Sequence, residues 1–234
     1  GAEKTPEGFA EKWEKQADCI YLEGYGLTET SPVLCVNLPG EENNHPRRRV
    51  GAVGKLLPGV TARVVDPDSG KELAPGETGI LHFRGPNVFE GYLGEPDKTA
   101  EVLDGDGWFV TGDLGSFDED GFLRIEGRLS RFSKIGGEMV PHGRVEEAVT
   151  EALGLDEGDL PVVAVAGRPD PAKGEALVLL TTMDIDLSEI SKSLSDNGLP
   201  NIWIPREIKR VPKIPMLPTG KLDLKAISSL AAAE

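Results

Sequence analysis

The chain has 234 residues, enough for one or two domains with real cores, and carries a formal net charge of −15. That charge argues against nucleic acid as a partner, because phosphates require a basic face. No run approaches the roughly 18 apolar residues of a transmembrane helix.

From the N-terminus, Thr5-Pro6 followed by Phe9, Ala10, Trp13 and Ala17 predicts an amphipathic helix with a hydroxyl N-cap and proline at its first position. Cys19 to Leu22 reads as a short apolar strand feeding the glycine-rich stretch Gly24–Thr30, which places that loop at a strand's C-terminal end. Cys19 and Cys35 lack metal-ligand spacing, and buried free thiols in a reducing compartment are expected. From Val33 to Gly127 short strands alternate with Gly/Pro turns. Thr61–Val65, Gly79–Phe83, Trp108–Thr111 and a hairpin about Asp120-Gly121 are the clearest. A small distorted β-barrel with one helix near Pro96–Leu103 is expected there, with part of an α/β core before it.

After Gly127 the pattern changes. A strand at Phe132–Ile135 precedes a helix with Val145, Ala148, Val149 and Leu153 on one face. Strands at Val162–Val165 and Ala176–Leu180 follow, then a helix spaced by Ile190 and Leu194, a strand near Ile208–Val211 and a helix from Leu222. The fold class is α+β in two parts, residues 1–128 and a smaller α+β unit, 129–234, with the boundary between Gly127 and Arg131. Charge is uneven: residues 1–127 hold 12 Lys/Arg against 24 Asp/Glu, residues 128–234 hold 13 against 16. Arg206, Lys209, Arg210, Lys213, Lys221 and Lys225 gather with few acids between them, and Arg128, Arg131, Lys134 and Arg144 form another local excess. Both groups read equally as a solvated rim or as a docking face for phosphate-bearing or acidic partners.

Four segments carry chemistry: Gly24-Tyr25-Gly26-Leu27-Thr28-Glu29-Thr30, Thr111-Gly112-Asp113, Gly127-Arg128 and Leu217-Pro218-Thr219-Gly220-Lys221. Singly, each has an ordinary explanation as a glycine turn, a turn-capping Asp or a solvated lysine. As an ordered series they resemble the adenylate-forming superfamily of acyl-CoA synthetases, luciferases and peptide-synthetase adenylation domains. The phosphate loop of that family, rich in Ser, Thr and Gly and ending in Lys-Gly, has no counterpart here. With no starting methionine or leader, a C-terminal piece of a longer enzyme is expected, inactive by itself.

The resemblance implies ATP, AMP and Mg2+ as ligands and a fatty acid as the carboxylate. Gly1 and Ala2 would lie beside the adenine. Gly24 and Gly26 would let backbone approach the purine, and Tyr25 would offer a ring face. The Thr28 hydroxyl would meet the α-phosphate, and Glu29 would share Mg2+ with phosphate oxygens. Asp113 would accept the ribose hydroxyls, with Arg128 adding a ribose or phosphate contact. Ser130 matches the family's hinge position, where Asp or Lys is usual. Lys221 would bridge the acyl carboxylate and the α-phosphate from a mobile C-terminal lid, and the Gly136-Gly137 turn would line the tunnel for a pantetheine thiol.

Two longer stretches, 131–140 and 173–182, are similar to the synthetase half of bifunctional enzymes that load acyl carrier protein and reacylate 2-acylglycerophosphoethanolamine. Acyl carrier protein is therefore the expected thiol acceptor, with the phospholipid acyltransferase reaction next to it in the parent. The expected place is the cytoplasm, at the inner face of the cytoplasmic membrane for the parent. Two alternatives stand beside this: a fatty acyl-CoA synthetase, and a non-catalytic adenylate-binding or carrier-docking module.

Overall fold

The structure, a computed structural model, describes residues 5, 8–42, 45–155 and 161–233. Gly1 and Ala2, two of the expected nucleotide-side residues, lie outside them. Contacts divide the chain into two units, Gly1–Leu129 and Ser130–Glu234.

The first unit begins with α1 (Phe9–Ala17), whose cap is Gly8 at φ 74°. Thr5 therefore does not cap it; its hydroxyl lies 3.3 Å from the Tyr21 hydroxyl instead. The strand expected at Cys19–Leu22 does not form. No neighbouring strand among the described residues offers these backbone groups a ladder, and Ile20 and Leu22 stay exposed. The first strand is instead β1 (Gly24–Tyr25). It pairs with β2 (Cys35–Val36), which in turn pairs with β5 (Lys55–Leu56). Between them lies a ribbon of β3 (Glu41–Glu42) and β4 (His45–Pro46).

The larger sheet is antiparallel in the order β6 (Thr61–Val65), β7 (Gly79–Arg84), β8 (Phe109–Phe117), β9 (Leu123–Arg128), with α2 (Pro96–Val102) between β7 and β8. The β8–β9 hairpin turns through Asp118–Phe122, as the Asp120-Gly121 pair predicts. The sheets do not close into the expected barrel. Leu123 of β9 links this sheet to the segment before β5: its backbone exchanges hydrogen bonds with Val53 (2.8 Å) and Gly54 (2.9 Å). Gly54 is at φ 94°, and a Cβ there would lie 1.9 Å from the Val36 carbonyl carbon. Leu34, Val64, Leu81, Phe83 and Leu123 form the shared core.

The second unit is a five-stranded sheet with both faces covered. Its centre is the hairpin β12 (Val163–Asp170)–β13 (Gly174–Thr181), eight residue pairs long. β14 (Glu207–Arg210) joins β13 in parallel, and the hairpin β10 (Phe132–Ile135)–β11 (Glu138–Pro141) joins β13 at Ile135 and Gly174. Alternation along β12 and β13 sends Val163, Val165, Leu177 and Leu179 toward α3 (His142–Ala152) and α4 (Leu187–Asp196). It sends Ala164, Ala166, Val178 and Leu180 toward α5 (Leu224–Ala232). Burial on both faces explains why these strands read as unbroken apolar runs.

Candidate functional site

Two departures from regular β structure bring the first unit's motif residues together. On β7, Ile80 opposes Leu114 while His82 opposes Val110, so Thr111-Gly112-Asp113 stands across from Leu81 alone. The motif is therefore a bulge, a device that re-aims side chains near functional sites. Gly112 adopts the left-handed φ of 71° that the bend requires. The Thr111 hydroxyl fills the broken ladder, donating to the Leu81 carbonyl at 2.9 Å and accepting from the Asp113 N–H at 3.0 Å. A second bulge lies across β8 and β9: Asp113 pairs with Arg128 and Leu114 with Gly127, but Gly115 pairs with Ile125.

Asp113 is buried, 5 % exposed. Its Oδ2 accepts from the Tyr25 hydroxyl at 2.5 Å, and its Oδ1 lies 3.1 Å from Arg128 Nε. Burial pushes the Asp113 carboxyl up, against the downward pull of the Tyr25 hydrogen bond and Arg128. Burial and the Asp113 charge likewise drive the Tyr25 phenol upward, so it remains a proton donor. Two of about four lone-pair positions on the carboxylate are taken, and the rest can accept hydroxyl donors. Tyr25 thus does more than present a ring face: it ties Gly24–Thr30 to the bulge, with its ring 6.0 Å from that of Phe83.

The loop after Tyr25 is tightly built. A Cβ on Gly26 would fall 1.7 Å from the Pro32 carbonyl oxygen, so only glycine fits. Thr28–Thr30 form a single 3-10 turn held by Thr30, whose hydroxyl bonds the Leu27 N–H (3.0 Å), the Leu27 carbonyl (2.9 Å) and the Pro32 carbonyl (3.1 Å). Burying Thr30 leaves Thr28 exposed. Glu29 is half-buried, with Oε1 accepting from the Tyr92 hydroxyl at 2.8 Å. Tyr92 was not singled out from the sequence. Its signal was an aromatic residue in a Gly/Pro-rich loop leaving a strand end, where functional groups concentrate.

In the second unit, Ser130 is exposed within the 3-10 turn Leu129–Arg131. Gly136 and Gly137 form the two-residue turn of the β10–β11 hairpin at φ 60° and 90°, the geometry that asks for glycine. The Gly136 N–H donates to the Lys173 carbonyl at 2.8 Å. Beside this turn a cavity of about 220 Å³ is lined by Ile135, Leu177, Ile202 and Ile204, with Lys173 and Arg206 among its polar residues. Lys221 is exposed at the end of a tight turn in which the Leu217 N–H bonds the Lys221 carbonyl (2.7 Å) and Gly220 sits at φ 83°. No hydrogen bond or ion pair among the described residues joins Lys221 to the Gly136-Gly137 turn.

Several of the clustered cations are engaged within the chain. Arg131 pairs with Glu146, Arg144 with Glu147 (3.3 Å) and Arg210 with Asp184 (3.6 Å). Arg206 donates to the Asn201 carbonyl and side-chain oxygen, both at 3.1 Å. Lys209 Nζ reaches the carbonyls of Ala231 (3.1 Å) and Leu230 (3.4 Å) at the end of α5. Cys35 is buried as expected, but Cys19 is exposed, at the start of the segment where the expected strand does not form.

Residues 1–93 match the family described as AMP-binding enzyme. The chain is 35% identical over 215 residues to a long-chain-fatty-acid–CoA ligase of Salmonella typhimurium, covering 91% of this chain and 36% of that one. It is 33% identical over 236 residues to peroxisomal OPC-8:0-CoA ligase 1 of Arabidopsis thaliana, covering 99% and 41%. Among solved structures, ATP-bound MatB of Rhodopseudomonas palustris superposes with a TM-score of 0.70 at 33% identity, over 94% of this chain and 42% of that one. The chain thus spans less than half the length of the curated relatives it matches.

Proposed function

We infer that this chain, which belongs to the AMP-binding enzyme superfamily, is part of an ATP-dependent, AMP-forming ligase that joins a fatty carboxylate to a thiol. The observation that carries the proposal is the bulge that delivers a buried Asp113 to the Tyr25 hydroxyl and Arg128. A buried carboxylate with unused lone pairs, a glycine-pinned loop and an exposed Thr28 hydroxyl suit a ribose, a purine and an α-phosphate respectively. Asp113 would accept the ribose hydroxyls, Arg128 would contact ribose or phosphate, and Thr28 would donate to the α-phosphate. Lys221 would steady the charge that develops as the carboxylate attacks phosphorus, a stabilisation usually worth several kcal/mol.

Glu29 would hold Mg2+, which supplies charge neutralisation at the phosphates. Glu29 offers a single hard carboxylate, with Oε1 accepting from the Tyr92 hydroxyl at 2.8 Å. Mg2+ commonly takes one or two carboxylates and completes its shell with phosphate and water.

The residues 1–128 would form the C-terminal part of the nucleotide-binding domain and 129–234 a mobile lid hinged at Ser130. The Gly136-Gly137 turn would admit the thiol arm. We favour CoA as the acceptor, since these two relatives carry CoA-ligase names and several of the cations expected to greet an acidic carrier protein, Arg131 and Lys209 among them, are engaged within the chain. Acyl carrier protein, and with it phospholipid reacylation, remains the reading favoured by residues 131–140 and 173–182.

Calorimetric titration of the chain with AMP tests the site. Binding that Asp113→Ala abolishes is expected, and binding that survives this change sinks the assignment. In the full-length parent, Lys221→Ala should stop pyrophosphate exchange while sparing thioester formation from preformed acyl-adenylate. Comparing CoA with acyl carrier protein as acceptor in that enzyme decides between the two thiols.

A further inference from the structure

The segment between β7 and α2 makes four contacts with the Thr28–Thr30 turn and the residues after it. Asn87 Nδ2 donates to the Thr30 carbonyl at 2.8 Å and to the Val33 carbonyl at 2.7 Å. The Phe89 N–H donates to the Glu29 carbonyl at 2.8 Å, and the Tyr92 hydroxyl donates to Glu29 Oε1 at 2.8 Å. Glu29 is therefore held at both its backbone and its carboxylate by residues about 60 positions away.

The arm that holds it is itself fixed. The Tyr92 N–H donates to Thr99 Oγ1 at 2.9 Å, on α2, and the Thr99 hydroxyl donates back to the Glu95 carbonyl at 2.9 Å. Gly91 sits at φ 142°, and a Cβ there would lie 2.6 Å from Thr99 Cγ2, so the chain passes α2 at glycine distance. The Tyr92 ring meets Phe89 edge-on at 4.9 Å, and Phe89 meets buried Phe109 at 5.6 Å. A phenol anchored through its backbone and its ring is a directional donor.

We propose that Tyr92 is a positioning residue for Glu29, fixing its carboxylate so that one oxygen is committed to the phenol and the other is presented to a hard cation bound with the nucleotide. This rests on the assignment of Glu29 as the cation-side carboxylate. A free glutamate side chain spreads over several rotamers, and aligning it when the cation arrives would cost side-chain entropy. Donors that orient a ligating group are typically worth 10–100-fold in metal affinity.

The test titrates the chain with ATP by calorimetry, once in Mg2+ and once in EDTA, and reads the ratio of the two affinities. A structural role common to both conditions cancels from this ratio. Tyr92→Phe keeps the ring contact with Phe89 and removes only the hydroxyl; it should lower the ratio by about tenfold. Glu29→Gln should bring it close to one. If Glu29→Gln lowers the ratio and Tyr92→Phe leaves it at the wild-type value, the proposal is overturned and the assignment of Glu29 stands. If the wild type shows no gain from Mg2+, or Glu29→Gln keeps it, the assignment of Glu29 falls and the proposal with it. Should Tyr92→Phe not fold, Thr99→Val releases the Tyr92 backbone while keeping the phenol. A ratio lowered in the same direction is then expected, and an unchanged one overturns the proposal.

Discussion

His142 Nε2 lies 2.9 Å from Ser133 Oγ, and both residues are buried in the second unit. Burial, with the Arg131 cation nearby, holds the imidazole down to about 3. The unfolded chain takes up this proton near pH 6.5 and the folded chain does not. The stabilisation from a neutral His142 is thus complete above pH 6.5 and is lost as pH falls toward 3. Urea denaturation should show the cost growing by at most about 1.4 kcal/mol per pH unit below 6.5. His142→Asn, which can still bond Ser133, should lack this component. Parallel pH profiles for the two proteins would refute the assignment.

The two cysteines should differ sharply. Cys35 is buried on β2, and desolvation pushes its thiol up to about 12, so it is protonated and shielded at neutral pH. Cys19 is exposed. A thiol reagent should label one cysteine in the native chain and two in denaturant, with Cys19→Ser abolishing the native signal. Rapid labelling of Cys35 in the native state would contradict the packing of β2.

At Gly26 the outcome follows from space alone. The methyl of Gly26→Ala would coincide with the Pro32 carbonyl, so the loop must move and take Tyr25 off Asp113. AMP binding should fall below detection while the second unit keeps its unfolding transition. Wild-type binding by this variant would mean that the loop does not shape the site.

Lys209 offers a contrast between docking and structure. Its ammonium sits among the last carbonyls of α5, where a cation also favours the helix dipole. Lys209→Met should destabilise the second unit by about 1 kcal/mol, measured by denaturation. A full-length parent carrying this change should keep its rate with any thiol acceptor. An unaltered denaturation midpoint together with slowed acceptor transfer would return Lys209 to the surface role its neighbours in sequence suggested.

The division at Leu129 and Ser130 invites excision. Residues 130–234 own both apolar faces of their sheet, so this segment alone should unfold cooperatively, and protease should cut the whole chain first near exposed Ser130. A segment that shows no cooperative transition would mean its core needs the rest of the chain.

Local chemistry explains which of these features could be read in advance. Asp120-Gly121 specifies its hairpin within the five residues Asp118–Phe122, and the runs at Val162–Val165 and Ala176–Leu180 announce buried strands through composition alone. Ile20 and Leu22 have the same apolar character, yet a strand also needs a neighbour, and neighbours are a property of topology. Thr5-Pro6 resembles a helix start, but Gly8 takes that place. Thr28, Glu29, Asp113 and Arg128 were legible as a set through motif order. Their coupling through Tyr25 and Tyr92 was not, because those bonds join residues 88 and 63 positions apart. Lys209 shows the limit of charge counting: a cation cluster in sequence says nothing of the carbonyls each cation will find.

The bulge between β8 and β9 makes the pairing of Asp113 with Arg128 a matter of register. Glu126 is the residue left over opposite Leu114 and Gly115. Were it drawn into the ladder opposite Leu114, Gly127 would face Asp113 and Arg128 would stand across from Gly112, turned away from the carboxylate. Many substitutions of the exposed Glu126 side chain would pass unnoticed, and even its deletion would close the bulge while leaving Arg128 across from Asp113. What holds these two residues opposite one another is the exclusion of position 126 from the ladder, and a one-residue slip that admits it would undo the site without changing a single side chain.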